Sequence, residues 1–516
     1  MELISAAFAA FTVIFLIAYY VCPKRFRWMV LLLASYCYYI IICGKYVAFI
    51  LFTTASTYFG AVFIDILLET QKRTIKENAK SWSREQRKAY KETIRKKRIA
   101  IMLLVLILNF GLLGFLKYIP YASGLGLLLP LGISFYTFQS MGYLIDVYQE
   151  KVKAQTNFFK LALFVSFFPQ IIQGPIAVYD DLAGQLYEGH VFDYDKVKRG
   201  ALLVLWGAFK KMVIADRAVV VMNYILSDVH GFSGSYVMFA AVVYALQLYT
   251  DFSGGIDIVR GIGEMFGITM AENFRQPYFS RSLTEYWHRW HITLGNWCRN
   301  YIFYPLSISK RFLDMGKFLK KHSTKHIAKV LPGSIASVLT FLVIGIWHGA
   351  NMKYVAFGLW NGVVIMIAEL IAPVTNSIKT KFCGYKFKIL PVLWTFILVL
   401  VGYYFDIADD LSQAVYMLVK SVTDFHISDF SYGNFMAALK PCGYRTADFM
   451  LLALLTVFLF MVSLVKEKKN LMIRDWLMAR KLPVQWIIIM AGIFSVIIFG
   501  YYGPGINPAD FVYMQF

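Results

Sequence analysis

Two histidines in aromatic, apolar surroundings are the residues of this 516-residue chain best suited to chemistry. His348 sits in Ile346-Trp347-His348-Gly349-Ala350-Asn351, directly after the apolar run Ile335 to Trp347, which places it at or within a membrane boundary. An ionisable side chain at that depth costs roughly 2.5–3.5 kcal/mol or more and is a functional candidate by default. A neutral imidazole there can take the proton of a hydroxyl as that hydroxyl attacks an activated acyl group. Trp347 would shield the ring from water, Gly349 would admit backbone or substrate closely, and Asn351 offers a donor to an oxyanion or carbonyl. The plainer alternative is a buried imidazole paired to a neighbour. The second histidine, His291, closes Glu285-Tyr286-Trp287-His288-Arg289-Trp290-His291. His288 and His291 share a helical face if this stretch is helical, but no acidic or cysteine partner stands at a metal-ligand spacing, so no metal is expected. Trp287 and Trp290 suit an interfacial anchor as well as a site wall.

Two further segments carry weaker signals. Tyr249-Thr250-Asp251-Phe252-Ser253-Gly254-Gly255 sets Asp251 and Ser253 beside a glycine pair. No histidine lies near in sequence, so structural bracing is expected there before nucleophilic chemistry. Phe168-Pro169-Gln170-Ile171-Ile172-Gln173-Gly174-Pro175 reads as a re-entrant turn in which Gln170 satisfies backbone groups. No G-x-x-x-x-G-K-[ST] phosphate loop is found, which argues against a nucleotide-driven pump.

The elements that must position these residues are membrane helices. The chain is 59% hydrophobic and 16% charged, against about 25% charged in soluble proteins. Apolar runs recur at roughly 3–21, 27–43, 46–68, 100–117, 123–147, 333–349, 353–373, 389–405, 449–465 and 485–501. The net charge of +21 sits between them. Gln71 to Arg98 holds twelve Lys/Arg against three Glu, and Ser307 to Lys329 seven against one Asp. That is the pattern of cytoplasmic loops, with anionic lipid or an acidic donor as partner, and not of a nucleic-acid binder. On this ordering both termini lie outside, as does an acid-leaning segment from Asp406 to Asp448. The six cysteines are scattered, without a C-x-x-C pair, so neither a disulfide framework nor a zinc site is expected.

The middle, roughly 155–305, does not fit regular spans. Its apolar runs are interrupted at Pro169, Gly174-Pro175, Lys210-Lys211, Arg217, Asp251, Gly254-Gly255, Arg260 and Glu264. Broken helices at membrane depth survive only inside protein or along a cavity. The expected fold is therefore an all-α polytopic membrane protein: a ring of about 11 or more transmembrane helices around a central re-entrant, broken-helix funnel. One membrane-embedded domain spans 1–516, with N-terminal helices (1–150), a central core carrying the histidine blocks (151–373), and C-terminal helices with an aromatic tail (374–516). No internal repeat is visible, which weakens a transporter.

These blocks resemble the membrane-bound O-acyltransferases. Trp290-His291-Ile292-Thr293-Leu294, followed by Trp297-Cys298-Arg299-Asn300-Tyr301-Ile302 and Tyr304-Pro305-Leu306, is similar to the family signature. Trp347-His348-Gly349-Ala350 is similar to its second histidine block. Leu131 to Gln139, Asp146-Val147-Tyr148, Phe168-Pro169-Gln170, Gly174-Pro175-Ile176, Asp251 to Gly254 and Glu272-Asn273-Phe274 follow in the family's order. The likeness is greatest to the bacterial alginate O-acetyltransferase branch, near relatives of the teichoic-acid D-alanyl transfer protein. Ser307-Ile308-Ser309-Lys310 departs from it, lacking the Gly-Gly-Asn that often follows the Pro-Leu.

The resemblance implies a membrane acyltransferase with His348 as the essential histidine and His291 as its partner. An acyl group, here acetyl, would pass from a cytoplasmic thioester (acetyl-CoA or an acyl carrier protein) across the bacterial cytoplasmic membrane. Its destination would be hydroxyls of a cell-surface polysaccharide, reached with an extracytoplasmic transferase as partner and no bound cofactor. The tail Phe511 to Phe516 resembles tyrosine-containing ends of this group, where Tyr513 would serve as an acyl relay or as a plain aromatic anchor. D-alanyl transfer to teichoic acid, a transporter or flippase, and a non-catalytic scaffold are the rival functions.

Overall fold

The computed structural model describes residues 3–119, 129–375, 389–502 and 511. It is all-α: among the described residues the sole β feature is a single bridge between Phe274 and Trp290. Eight helical stretches among them are long and apolar enough to cross a membrane: Lys24–Glu77, Arg84–Tyr118, Gly234–Met265, Lys325–His348, Met352–Leu370, Leu390–Ile407, Thr446–Lys469 and Leu482–Phe499. Ala6–Val21 is a shorter apolar helix. The protein is thus a polytopic helical membrane protein.

The described residues form two compact units, Met1–Ala201 with Val259–Ala271, and Leu202–Ile258 with Glu272–Phe516. In the first unit the basic segment 71–98, expected as a loop, is largely helical. Val47–Glu77 and Arg84–Tyr118 both run into it from the apolar side. Its Lys, Arg, Glu and Gln residues are good helix formers. The second helix also starts on a capping box, in which Ser83 Oγ accepts from Gln86 N (3.2 Å) and Gln86 Oε1 from Ser83 N (2.8 Å). Of the expected span 123–147, the helix Ile133–Tyr148 is seen, and residues 120–128 lie outside the described residues.

The middle is broken, but not at every expected place. Short helices occupy Phe158–Ser166, Phe168–Gln173 and Tyr179–Tyr187, with Pro169 opening the second and Gly174 ending it. The helix Tyr194–Ala208 passes into a π-helical turn, Phe209–Ala215, which carries Lys210 and Lys211 and belongs to the second unit. By contrast Gly234–Met265 is one unbroken helix of 32 residues, straight through Asp251, Gly254-Gly255, Arg260 and Glu264. Gly254 serves packing instead of a bend: a Cβ on it would lie 2.9 Å from the Gly207 carbonyl oxygen. A Cβ on Gly207 would lie 2.5 Å from the Gly254 carbonyl oxygen, so only glycine permits that helix contact.

Candidate active site

His348 is the last residue of Lys325–His348, and this helix packs closely against the next, Met352–Leu370. Gly345 and Gly358 set the spacing: a Cβ on the first would meet the Tyr354 carbonyl oxygen at 2.3 Å, on the second that of Phe341 at 2.4 Å. The tight hairpin brings Tyr354 and Phe357 against the His348 ring, at centroid distances of 6.0 and 5.6 Å, with Trp347 edge-on at 4.9 Å.

His291 is held by other means. It lies between the short helices Leu283–Arg289 and Ile292–Cys298, in the left-handed region at φ 46°. The chain before it is pinned to the segment after the long helix, with Arg275 N donating to Arg289 O (2.9 Å) and Ile292 N to Asn273 O (3.0 Å). Asn273 Oδ1 accepts from Thr293 N and Thr293 Oγ1, both at 3.0 Å, and stands 3.3 Å from His291 Nδ1. An oxygen already accepting twice can only accept again, so Nδ1 carries the proton and Nε2 the lone pair. Phe252 meets the imidazole edge-on at 4.9 Å. Burial first, then the neighbouring His348, push the His291 pKa down to about 3, which keeps the ring neutral.

The two histidines line one cavity. Its walls are Tyr286, Trp287, Trp290, Leu248, Leu294, Phe357, Val399 and Gly402, and Asn361, Tyr403 and Asp406 add polar groups. Trp290 stacks on Tyr286 at 5.7 Å, and Trp287 Nε1 donates to Asn361 Oδ1 at 3.0 Å. An aromatic-walled cavity with two imidazoles and few other polar groups suits proton transfer in a site sheltered from water. Among the described residues no three His, Cys, Asp or Glu side chains are grouped as a metal site requires.

Of the residues singled out from sequence, His291, His348 and Trp290 meet here. Trp347 supports the His348 ring but does not line the cavity. Asn351 is engaged at both ends of its amide: Oδ1 caps Met352–Leu370 by accepting from Lys353 N (3.0 Å), and Nδ2 donates to Asp409 O (3.1 Å). Asp251 and Ser253 face a separate, buried charge cluster. Lys211 Nζ lies 2.7 Å from both Asp251 and Asp216, and Lys210 Nζ 2.8 Å from both Ser253 and Asp257. Gln170 belongs to the first unit, where it donates to Gln139 Oε1 (2.5 Å) and Pro175 O (2.7 Å). Tyr513 lies outside the described residues.

Asn273 and Asp406 were not singled out. Asn273 stands in one of the blocks that carry the resemblance, without a role attached. Asp406, assigned from sequence to the outer segment, is in the last turn of Leu390–Ile407 and faces the histidines' cavity. The signal that marked His348, an ionisable group closing an apolar run, was present there too.

Comparison with known proteins gives the family. The family model for membrane-bound O-acyltransferases matches residues 148–405, a stretch that contains both histidines. A probable alginate O-acetylase of Pseudomonas syringae pv. tomato is 31% identical over 85% of this chain and 79% of its own length. A peptidoglycan O-acetyltransferase of Helicobacter pylori is 31% identical over 61% of this chain and 63% of its own. For a teichoic acid D-alanyltransferase of Bacillus subtilis the figures are 26%, 53% and 67%. With this match and these identities beside the paired histidines, the chain belongs to the membrane-bound O-acyltransferase family and is an acyltransferase.

Proposed function

We propose that the protein moves an acetyl group from a cytoplasmic thioester towards hydroxyls of a cell-surface polysaccharide, working with a separate extracytoplasmic transferase in the bacterial cytoplasmic membrane. The observation that carries this is the shared cavity of His291 and His348. His348 acts as the base: it takes the hydroxyl proton as the oxygen bonds to the thioester carbonyl carbon, then gives it to the departing sulfur. His291, fixed as the Nδ1–H form by Asn273, turns its Nε2 lone pair to orient or share that proton. The basic ends of the first unit's long helices and of Lys310–His322 suit an anionic donor on the cytoplasmic side. Acetyl is favoured over D-alanyl because the acetylase relatives are the more similar.

The test is thiol release from acetyl-CoA and D-alanyl-CoA by protein in nanodiscs, wild type against His348→Ala. Release that depends on His348 supports the reading, and the thioester consumed identifies the acyl group. Equal release by the variant, or movement of an intact solute without any release, would overturn it.

A further inference from the structure

The chain around His291 turns twice through the left-handed region. Among the described residues four non-glycine residues have positive φ, and two of them, Gln276 (φ 40°) and His291 (φ 46°), bracket the bridge between Phe274 and Trp290. An L-residue meets its own carbonyl in this conformation, so such corners persist only where the surroundings over-determine them. Which way the His291 imidazole points depends on that corner being kept.

Arg289 touches both corners. Its carbonyl oxygen accepts from Arg275 N (2.9 Å) beside the bridge, and its Nη1 reaches the Gln276 carbonyl oxygen at 3.5 Å. The same guanidinium meets Glu467 through a two-bond fork, Nη1 to Oε2 at 2.8 Å and Nη2 to Oε1 at 3.1 Å. Glu285, one turn earlier on Leu283–Arg289, adds a contact at 2.6 Å, and its other oxygen accepts from Arg281 N (2.8 Å). Glu467 is the less expected partner. It stands in the last turn of Thr446–Lys469, where the helix dipole disfavours an acid and where Lys466, Lys468 and Lys469 obey the rule. A local rule broken beside a site calls for a gain elsewhere, and the fork to Arg289 supplies it.

We propose that Arg289 is a positioning residue of the histidine site: clamped by Glu467 and Glu285, it holds both left-handed corners of the bridge and so aims His291 into the cavity. This rests on the acyl-transfer reading above. Arg289, Glu285 and Glu467 are not among the residues that line the cavity, so they act through His291 and not on the reacting atoms. Asn273 sets which nitrogen of the ring carries the proton, and the clamp sets where the ring stands.

The experiment measures kcat and KM for thiol release per folded molecule in nanodiscs, with whichever of acetyl-CoA and D-alanyl-CoA the wild type consumes. Glu467→Gln keeps the shape and removes the charge. It should lower kcat by about 10–100-fold, as a misplaced group does, and leave the donor KM within about twofold. Adding Gln276→Gly should recover most of that loss, because glycine takes the left-handed corner without the clamp. If Glu467→Gln does not fold, Arg289→Lys, which keeps the charge and loses the fork, takes its place. A raised KM at unchanged kcat would make Arg289 a contact of the anionic donor and overturns this inference alone. So does a smaller folded fraction with wild-type turnover per molecule, which is bracing of the fold, or a glycine variant that folds and recovers nothing. A wild type that releases no thiol from either donor overturns the acyl-transfer reading and this inference together.

Discussion

Consecutive residues of one helix serve two opposite kinds of polar site. On Gly234–Met265, Phe252 backs His291 in the cavity, while Asp251 and Ser253 on either side of it reach the lysines of the π-helical turn. In the lysine cluster charge meets charge. Burial would lower the Lys211 pKa, but Asp251 and Asp216 outweigh it and hold the ammonium above its usual value. Phe511 completes the enclosure, its ring 4.6 Å from Lys211 Nζ. In the cavity the polar groups are sparser and of a kind that exchanges protons. Buried ionisable groups in a membrane protein thus divide by their partners: a saturated cluster holds the fold, and the sparser imidazole site is where chemistry is expected.

The largest expected effect separates the two by rate. His348→Ala should lower thioester consumption by about 10²–10⁴-fold, the usual contribution of a general base, with protein yield unchanged. Loss of yield in place of rate would move His348 to the structural class. The next effect is the mirror image. Lys211→Met leaves Asp216 and Asp251 buried without their shared cation, which should remove about 3–5 kcal/mol of stability. It should show as lost folded protein in detergent, and whatever folds should keep its turnover. A well-folded, inactive Lys211→Met would mean that the cluster takes part in the reaction.

How far the sequence revealed this follows from the same contrast. Helices and the position of His348 were legible because an apolar run and an ionisable group closing it are local signals. His348 and the spans from 333 to 405 needed nothing more. Asp406 gave the same local signal, but the acid-leaning segment that follows it drew it into the outer loop. Asp251 reads from sequence as structural bracing before chemistry, which is where the structure puts it, but nothing local shows that its partner is Lys211, forty positions earlier. The Gly254-Gly255 pair looked like a break because the packing partner of Gly254, Gly207, is equally remote. Asn273 fixes a histidine tautomer eighteen residues away through a contact that only folding creates.

A smaller effect concerns acid. The His291 pKa lies near 3 in the folded protein against an ordinary 6.5, because burial and His348 disfavour its charge. Between those values the unfolded chain binds the proton and the folded one does not, so stability rises with pH. The contribution is complete above pH 6.5 and declines as pH falls towards 3. Thermal unfolding in nanodiscs from pH 7 to pH 4 should show this decline, and His291→Gln should flatten it. An identical slope in the variant would show that His291 is already neutralised by other means or is not buried in solution.

The smallest effect tests the border of the cavity. Asn351 stands three residues from His348 and could be mistaken for an oxyanion donor, yet its amide is occupied on both sides. As an N-cap it should contribute about 1 kcal/mol, so Asn351→Ala should lower the unfolding temperature by a few degrees and leave turnover alone. Asn351→Asp should restore the cap, because a carboxylate oxygen accepts from Lys353 N as well as an amide does, and forfeit only the bond to Asp409 O. An oxyanion donor would behave otherwise: alanine would reduce the rate by about 10²–10³-fold, and aspartate, which places negative charge where charge develops, would reduce it further. The order of the two variants, alanine below aspartate in stability or aspartate below alanine in rate, therefore decides whether the cavity's catalytic groups end at His348 or extend past Gly349.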